Sequence, residues 1–134
     1  MDIDGQKVQS VSGGGHWGGG MFINAYDMAR FGYLWLRGGK WGNKQLIPAD
    51  YVKAALVPAK AKNNPDYGYL WWLNTRGGAK TLPTNSFQAQ GAGSNTIFVS
   101  PDHDLVVVWR WHGNGKEQFL RQVIDSISSQ TSQP

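Results

Sequence analysis

The 134-residue chain contains no cysteine, which excludes disulfide staples and thiol nucleophiles but leaves the redox compartment open. It has no apolar run near the length of about 20 residues that a membrane span needs. Its first residues, "MDIDGQKVQS", are polar and acidic, without the basic start and apolar centre of a secretory signal. Charge is sparse: 13 Lys and Arg against 9 Asp and Glu leave a net +4. The basic residues are scattered, with one loose cluster at Lys53, Lys60 and Lys62. A nucleic-acid partner would call for a patch or stripe, so these lysines read as a solvated face and no nucleic acid is expected. His16, His103 and His112 lie far apart in sequence with no Cys or carboxylate cluster beside them, so neither a metal nor another cofactor is expected.

What the chain does have is aromatic surface and glycine. Seven Trp and 18 Gly favour a folded, turn-rich domain over disorder, because so many rings can bury area. We read residues 1–134 as one domain, with an irregular glycine-rich segment over 1–20 and a frayed tail over 130–134. "NAYDMARFGYLWLRGG" reads as a helix, with Asn24 as cap, Asp27 three residues on as in a capping box, and Gly38 as the left-handed stop. Gly42-Asn43 marks a turn, and "PADYVKAALV" a short helix with Pro48 at its first position. Three strands are predicted, at 67–74, 95–100 and 104–112. In the third, Leu105, Val107, Trp109 and Trp111 would share one face, and Val106, Val108, Arg110 and His112 the other. Asn114 and Glu117 suggest a second capping box, opening a helix whose apolar stripe is Phe119, Leu120, Val123, Ile124 and Ile127. Trp71, Trp72, Trp109 and Trp111 are expected to pack in the core and sheet rather than form a sugar platform. Short antiparallel strands with helices over a face make this an α+β chain.

"GGGMFINAYDMARFGYLWLRGGKWGNKQLIPADYV", then "YGYLWW", then "GAGSNTIFVSPDHDLVVVW" resemble, in that order, the C-terminal part of the β-lactamase-related serine hydrolases. That family includes class C β-lactamases, D-alanyl-D-alanine peptidases and carboxylesterases. The resemblance runs from about residue 10 to about residue 127. It implies part of a β-lactamase and penicillin-binding-protein-like fold: an antiparallel sheet of three or more strands flanked by helices. It also implies acyl-enzyme chemistry built on three motifs. Ser-x-x-Lys supplies the nucleophile and its base, Tyr-x-Asn a second proton-handling group, and Lys-Thr-Gly or His-Thr-Gly the opposite wall. The first two are absent here. "SSQT" and "SISS" lack the lysine, and none of Tyr26, Tyr33, Tyr51, Tyr67 or Tyr69 has Asn two residues later. Acyl transfer therefore has no starting atom within this sequence.

Counting back from Pro101 places the third motif at Ala89, Gln90 and Gly91. Ala89 cannot hold a substrate carboxylate, Gln90 can hydrogen-bond a ligand, and Gly91 permits close backbone approach. By resemblance, the N–H of Ala92 is one oxyanion-hole donor. The absent basic residue turns the expectation from β-lactam recognition toward ester or amide chemistry on a small acyl substrate. By the same resemblance, His16, Trp17 and Gly19 border the cleft, and Gly18 and Gly20 let backbone pass close by. Most of the family works in the periplasm or outside the cell. The reading adopted is a fragment or split module of a serine hydrolase, inactive alone. Such a chain lacks the N-terminal elements that the family lays against this sheet. It should expose a sheet edge, and self-associate or bind a complementing half. The alternative is a stand-alone binding module on the same scaffold, with a pocket made from residues such as Trp17, Trp72 and Gln90. A basic nucleic-acid binder using exposed tryptophans is the third reading.

Overall fold

The computed structural model describes residues 23–60, 63–111 and 113–130, and the backbone of 2–3 and 6–7; the side chains of 92 and 130 are not described. Most of the segment predicted to be irregular, the histidines at 16 and 112, Lys62, and the last four residues lie outside this description. Within the first segment, β1 (Asp2–Ile3) and β2 (Gln6–Lys7) pair antiparallel, Ile3 opposite Gln6. The residues between them are Asp-Gly, a dipeptide that favours hairpin turns.

Helix α1 (Ala25–Leu36) starts as its sequence directs. Asn24 Oδ1 accepts from the Asp27 N–H at 2.8 Å, and Asn24 Nδ2 donates to Asp27 Oδ2 at 2.7 Å. Arg30 Nη1 donates to the other carboxylate oxygen at 2.8 Å. Asp27 is fully buried, and these bonds offset the cost of desolvating its charge. Gly38 follows the helix with φ +62°. A two-residue turn, Gly42-Asn43, then joins β3 (Lys40–Trp41) to β4 (Lys44–Gln45). Helix α2 (Ala49–Ala55) begins one residue later than predicted, so Pro48 stands as its N-cap.

A four-stranded antiparallel sheet runs in the order β5 (Trp72–Leu73), β6 (Phe87–Gly91), β7 (Asn95–Ser100), β8 (Leu105–Trp109). Helices cover both of its faces, not one. Met28 and Trp35 of α1, Val52 and Ala55 of α2, and Trp71, Phe87, Ile97 and Val99 form one core, with Val106 and Val108 against it. On the other face, Leu120 and Ile124 of α3 (Lys116–Gln130) pack on Leu82 and Phe98, with Leu105 and Val107. The predicted alternation of β8 therefore holds through Trp109, whose ring meets Phe119 at 4.0 Å. Central β7 is buried from Thr96 to Ser100 because both faces are covered. Gly32 lets α1 lie close to the sheet: a Cβ there would fall 2.7 Å from Ile97 Cγ2 and from Val106 Cγ1.

Other elements depart further from the sequence reading. Only Trp72–Leu73 of the predicted strand over 67–74 is a strand. Upstream, the Tyr69 N–H donates to the Ala55 carbonyl at 3.0 Å, and the chain reverses at Leu70, φ +64°. Ala55 ends α2, so its carbonyl lacks a partner within the helix, and this tertiary bond bends the aromatic run. The third strand stops at Trp109. Helix α3 begins at Lys116, and Glu117 accepts from the hydroxyl of Thr81 at 2.6 Å, so it ties the helix to a distant loop.

Candidate functional site

Strand β6 carries the predicted wall, although no strand was predicted there from its pattern. Its register with β7 pairs Ala89 with Ile97, Gln90 with Thr96 and Gly91 with Asn95. On its other side, β5 reaches only Phe87 and Gln88. Among the described residues, no strand pairs with the outer edge of Ala89–Gly91. A strand edge of this kind presents backbone donors and acceptors to a ligand.

The side chains divide by the two-residue period of the strand. Ala89 is half-buried and packs against the α1 core. Gln90 and Gly91 are exposed. The registers place Trp72, Gln88 and Gln90 on one face. Gln88 Oε1 is buried there without a hydrogen-bond partner among the described residues.

After Gly91, the short turn Ala92–Ser94 returns the chain into β7. Ala92 begins this turn, and Gly93 and Ser94 follow with φ +72° and +59°. Two successive left-handed residues make the reversal abrupt, and the first is glycine, which bears that backbone at least cost. The predicted wall and oxyanion residues thus form one continuous strand end and turn. His16, Trp17 and Gly19, the predicted rim, lie outside the described residues.

The tryptophans separate. Trp71 is 2% exposed and lies in the core, and Trp72 sits edge-on to Tyr67 at 4.8 Å. Trp111 departs from the expected packing: it is 72% exposed, with φ +52°, at the same end of the sheet as Ala92–Ser94. Nothing in the alternating pattern of residues 104–112 signalled that position, since the pattern assigned Trp111 to the strand.

At the opposite end of β7, the turn Pro101–His103 is tied in place. Ser100 Oγ and His103 Nδ1 are 2.9 Å apart, and Asn85 Nδ2 donates to Asp102 at 2.5 Å. Arg37 Nη2 meets Asp104 at 2.8 Å. Arg121, paired with Asp125, stands beside a cavity of about 340 Å³ at that end. Among the described residues, no group of three His, Cys, Asp or Glu is placed to hold a metal. No helix of the described residues is long and apolar enough to cross a membrane.

The profile of the Beta-lactamase family matches residues 3–130. An uncharacterized protein of Alkalihalophilus pseudofirmus is 29% identical over 116 residues, covering 78% of this chain and 34% of its own. Among solved structures, a "Putative 6-aminohexanoate-dimer hydrolase from Bacillus anthracis" superposes with a TM-score of 0.56 at 21% identity. That match covers 82% of this chain and 30% of the other, and shows a shared fold. The chain spans about a third of the length of both proteins.

Proposed function

The chain belongs to the Beta-lactamase family, and from that premise we propose that it supplies one wall of a serine-hydrolase site whose nucleophile lies outside this sequence. The observation that carries the proposal is the open edge of β6 at Ala89–Gly91, joined to the tight turn at Ala92–Ser94. An acyl substrate lies along that edge. Gln90 hydrogen-bonds its amide or ester, and the Ala92 N–H faces the oxygen that becomes negative during acyl transfer. Ala89 offers no charge, so the wall takes uncharged acyl groups in preference to carboxylate-bearing β-lactams.

A complementing polypeptide follows from the same reading. The described residues contain no strand on the outer side of Leu105–Val108, an apolar, β-branched run. That edge takes a strand of a complementing polypeptide or of a second copy.

Two measurements test the proposal. The chain alone should give no burst with 4-nitrophenyl butyrate and no labelling by a fluorophosphonate; turnover above the blank would overturn the missing nucleophile. Light scattering coupled to gel filtration should show concentration-dependent association. A strict monomer across the micromolar range would refute the open edge.

A further inference from the structure

Among the tryptophans of the described residues, Trp111 is the most exposed, and Trp72 follows at 38%. Trp35 and Trp71 are 7% and 2% exposed, and Trp109 packs on Phe119. Trp111 is 72% exposed. Continuing β8 by two residues would have set its ring beside that of Trp109, over α3. The strand ends at Trp109 instead, and Trp111 takes φ +52°. A left-handed backbone is unfavourable for a bulky residue. Burial of the ring, the usual compensation, is mostly forgone. Outliers of this kind concentrate at ligand sites, where the surrounding structure enforces them.

The contact that fixes the ring is with the wall itself. A Cβ on Gly93 would collide with Cζ3 and Cε3 of Trp111, so the six-membered ring of the indole lies directly on the α-carbon of Gly93. Gly93 is therefore required twice, for its own φ of +72° and to leave room for the ring. One part of the indole rests on the turn that follows Gly91, and most of the ring remains open to solvent. Gln90 and Gly91, at the end of the strand that leads into this turn, are both exposed.

We infer that Trp111 is a specificity-determining residue of this site: its indole, seated on Gly93, is a ledge on which a flat aromatic group of the acyl substrate stacks. The inference rests on the wall proposed above and names the substrate class it prefers, aryl esters and anilides over their aliphatic counterparts. An aromatic pair adds about 0.5–1.5 kcal/mol beyond the area it buries, which corresponds to a preference of about two- to twelvefold.

The test uses the whole ¹⁵N-labelled chain and two uncharged amides of similar size, N-phenylbutanamide and N-cyclohexylbutanamide. Titrating the phenyl amide should shift the backbone amides of Gln90, Gly91 and Gly93 and the indole N–H of Trp111 along one saturation curve. Trp111→Ala should weaken that binding by at least about two- to twelvefold, and Trp111→Phe should restore most of it. Binding of the cyclohexyl amide should weaken less than that of the phenyl amide in Trp111→Ala, because it loses only the buried area. Preserved amide dispersion elsewhere in the spectrum shows that the variants fold. If Trp111→Ala binds the phenyl amide as tightly as the parent chain, with the same shifts at Gln90–Gly93, the ledge is refuted and the wall stands. If neither amide shifts Gln90–Gly93 in the parent chain, the wall is refuted, and the ledge with it.

Discussion

The loop that delivers the chain into β6 hangs on one side chain, and replacing it tests whether the wall is held from behind. Asn74 is 7% exposed. Its Nδ2 donates to the carbonyls of Ala79 at 3.1 Å, Leu82 at 3.1 Å and Pro83 at 3.0 Å. Its Oδ1 accepts from the Ala79 N–H at 2.9 Å. Two amide hydrogens are shared among three carbonyls, so the network counts as about three bonds at about 1 kcal/mol each. Asn74→Ala should therefore cost about 3 kcal/mol. Asn74→Asp is the sharper variant, because it keeps the shape and the acceptor for Ala79. It replaces the donor with an oxygen facing three carbonyls. The ionised form is repelled there, and the protonated form still donates once, so folding raises the carboxyl's pKa above its ordinary value of about 3.9. A group raised on folding contributes stability that is present at low pH and lost as pH rises. Urea unfolding followed by far-UV circular dichroism, from pH 4 to pH 8, reads this directly against the parent chain. At pH 8, Asn74→Asp should lose at least as much as Asn74→Ala, and it should recover part of the loss toward pH 4. An Asn74→Asp chain as stable as the parent at pH 8, or a loss independent of pH, would refute the account of the loop.

Two further substitutions probe the layers around the sheet. Gly32→Ala gains about 1 kcal/mol of helix propensity, but its Cβ would press two stiff β-branched side chains at 2.7 Å, and overpacking of that kind costs about 1–3 kcal/mol. A net loss of about 1 kcal/mol is expected in thermal unfolding, with Gly78→Ala, which meets nothing nearer than Asp66 Oδ2 at 4.0 Å, as the control. Greater stability in Gly32→Ala would mean that α1 does not sit so close. Lys116 opens α3, where a positive charge opposes the helix dipole, and burial lowers its pKa below 10.5. The unfolded chain then binds more protons below that value, so this residue's penalty fades as pH rises toward 10.5. Lys116→Gln should stabilise the chain by about 0.5 kcal/mol at pH 7 and have less effect near pH 10.5; a destabilised variant at pH 7 would contradict this.

Much of the fold was legible in local pattern. The Asn24–Asp27 box, the turn at Gly42-Asn43 and the alternation of Leu105 to Trp109 each follow from chemistry within a few residues. The proposed wall at 89–92 was placed by its likeness to a known motif, since hydrophobic periodicity gave no strand there. Other features were illegible because their causes are distant in sequence. The aromatic run at 67–71 turns because Ala55, in another helix, holds the Tyr69 N–H. Glu117 leaves its local cap for Thr81, 36 residues away.

The sequence by itself determined the class of this protein: antiparallel pairing of short strands, helices with written starts, and the family to which the order of motifs belongs. Hydrogen-bonding geometry and apolar period act over single turns and strands, so residue order suffices to state them. Tertiary structure alone decided which edge of β6 is left unpaired among the described residues, because β5 is cut to two residues by a turn made elsewhere. It alone also decided where Trp111 rests, because that requires a glycine 18 positions earlier to present a bare α-carbon to the ring.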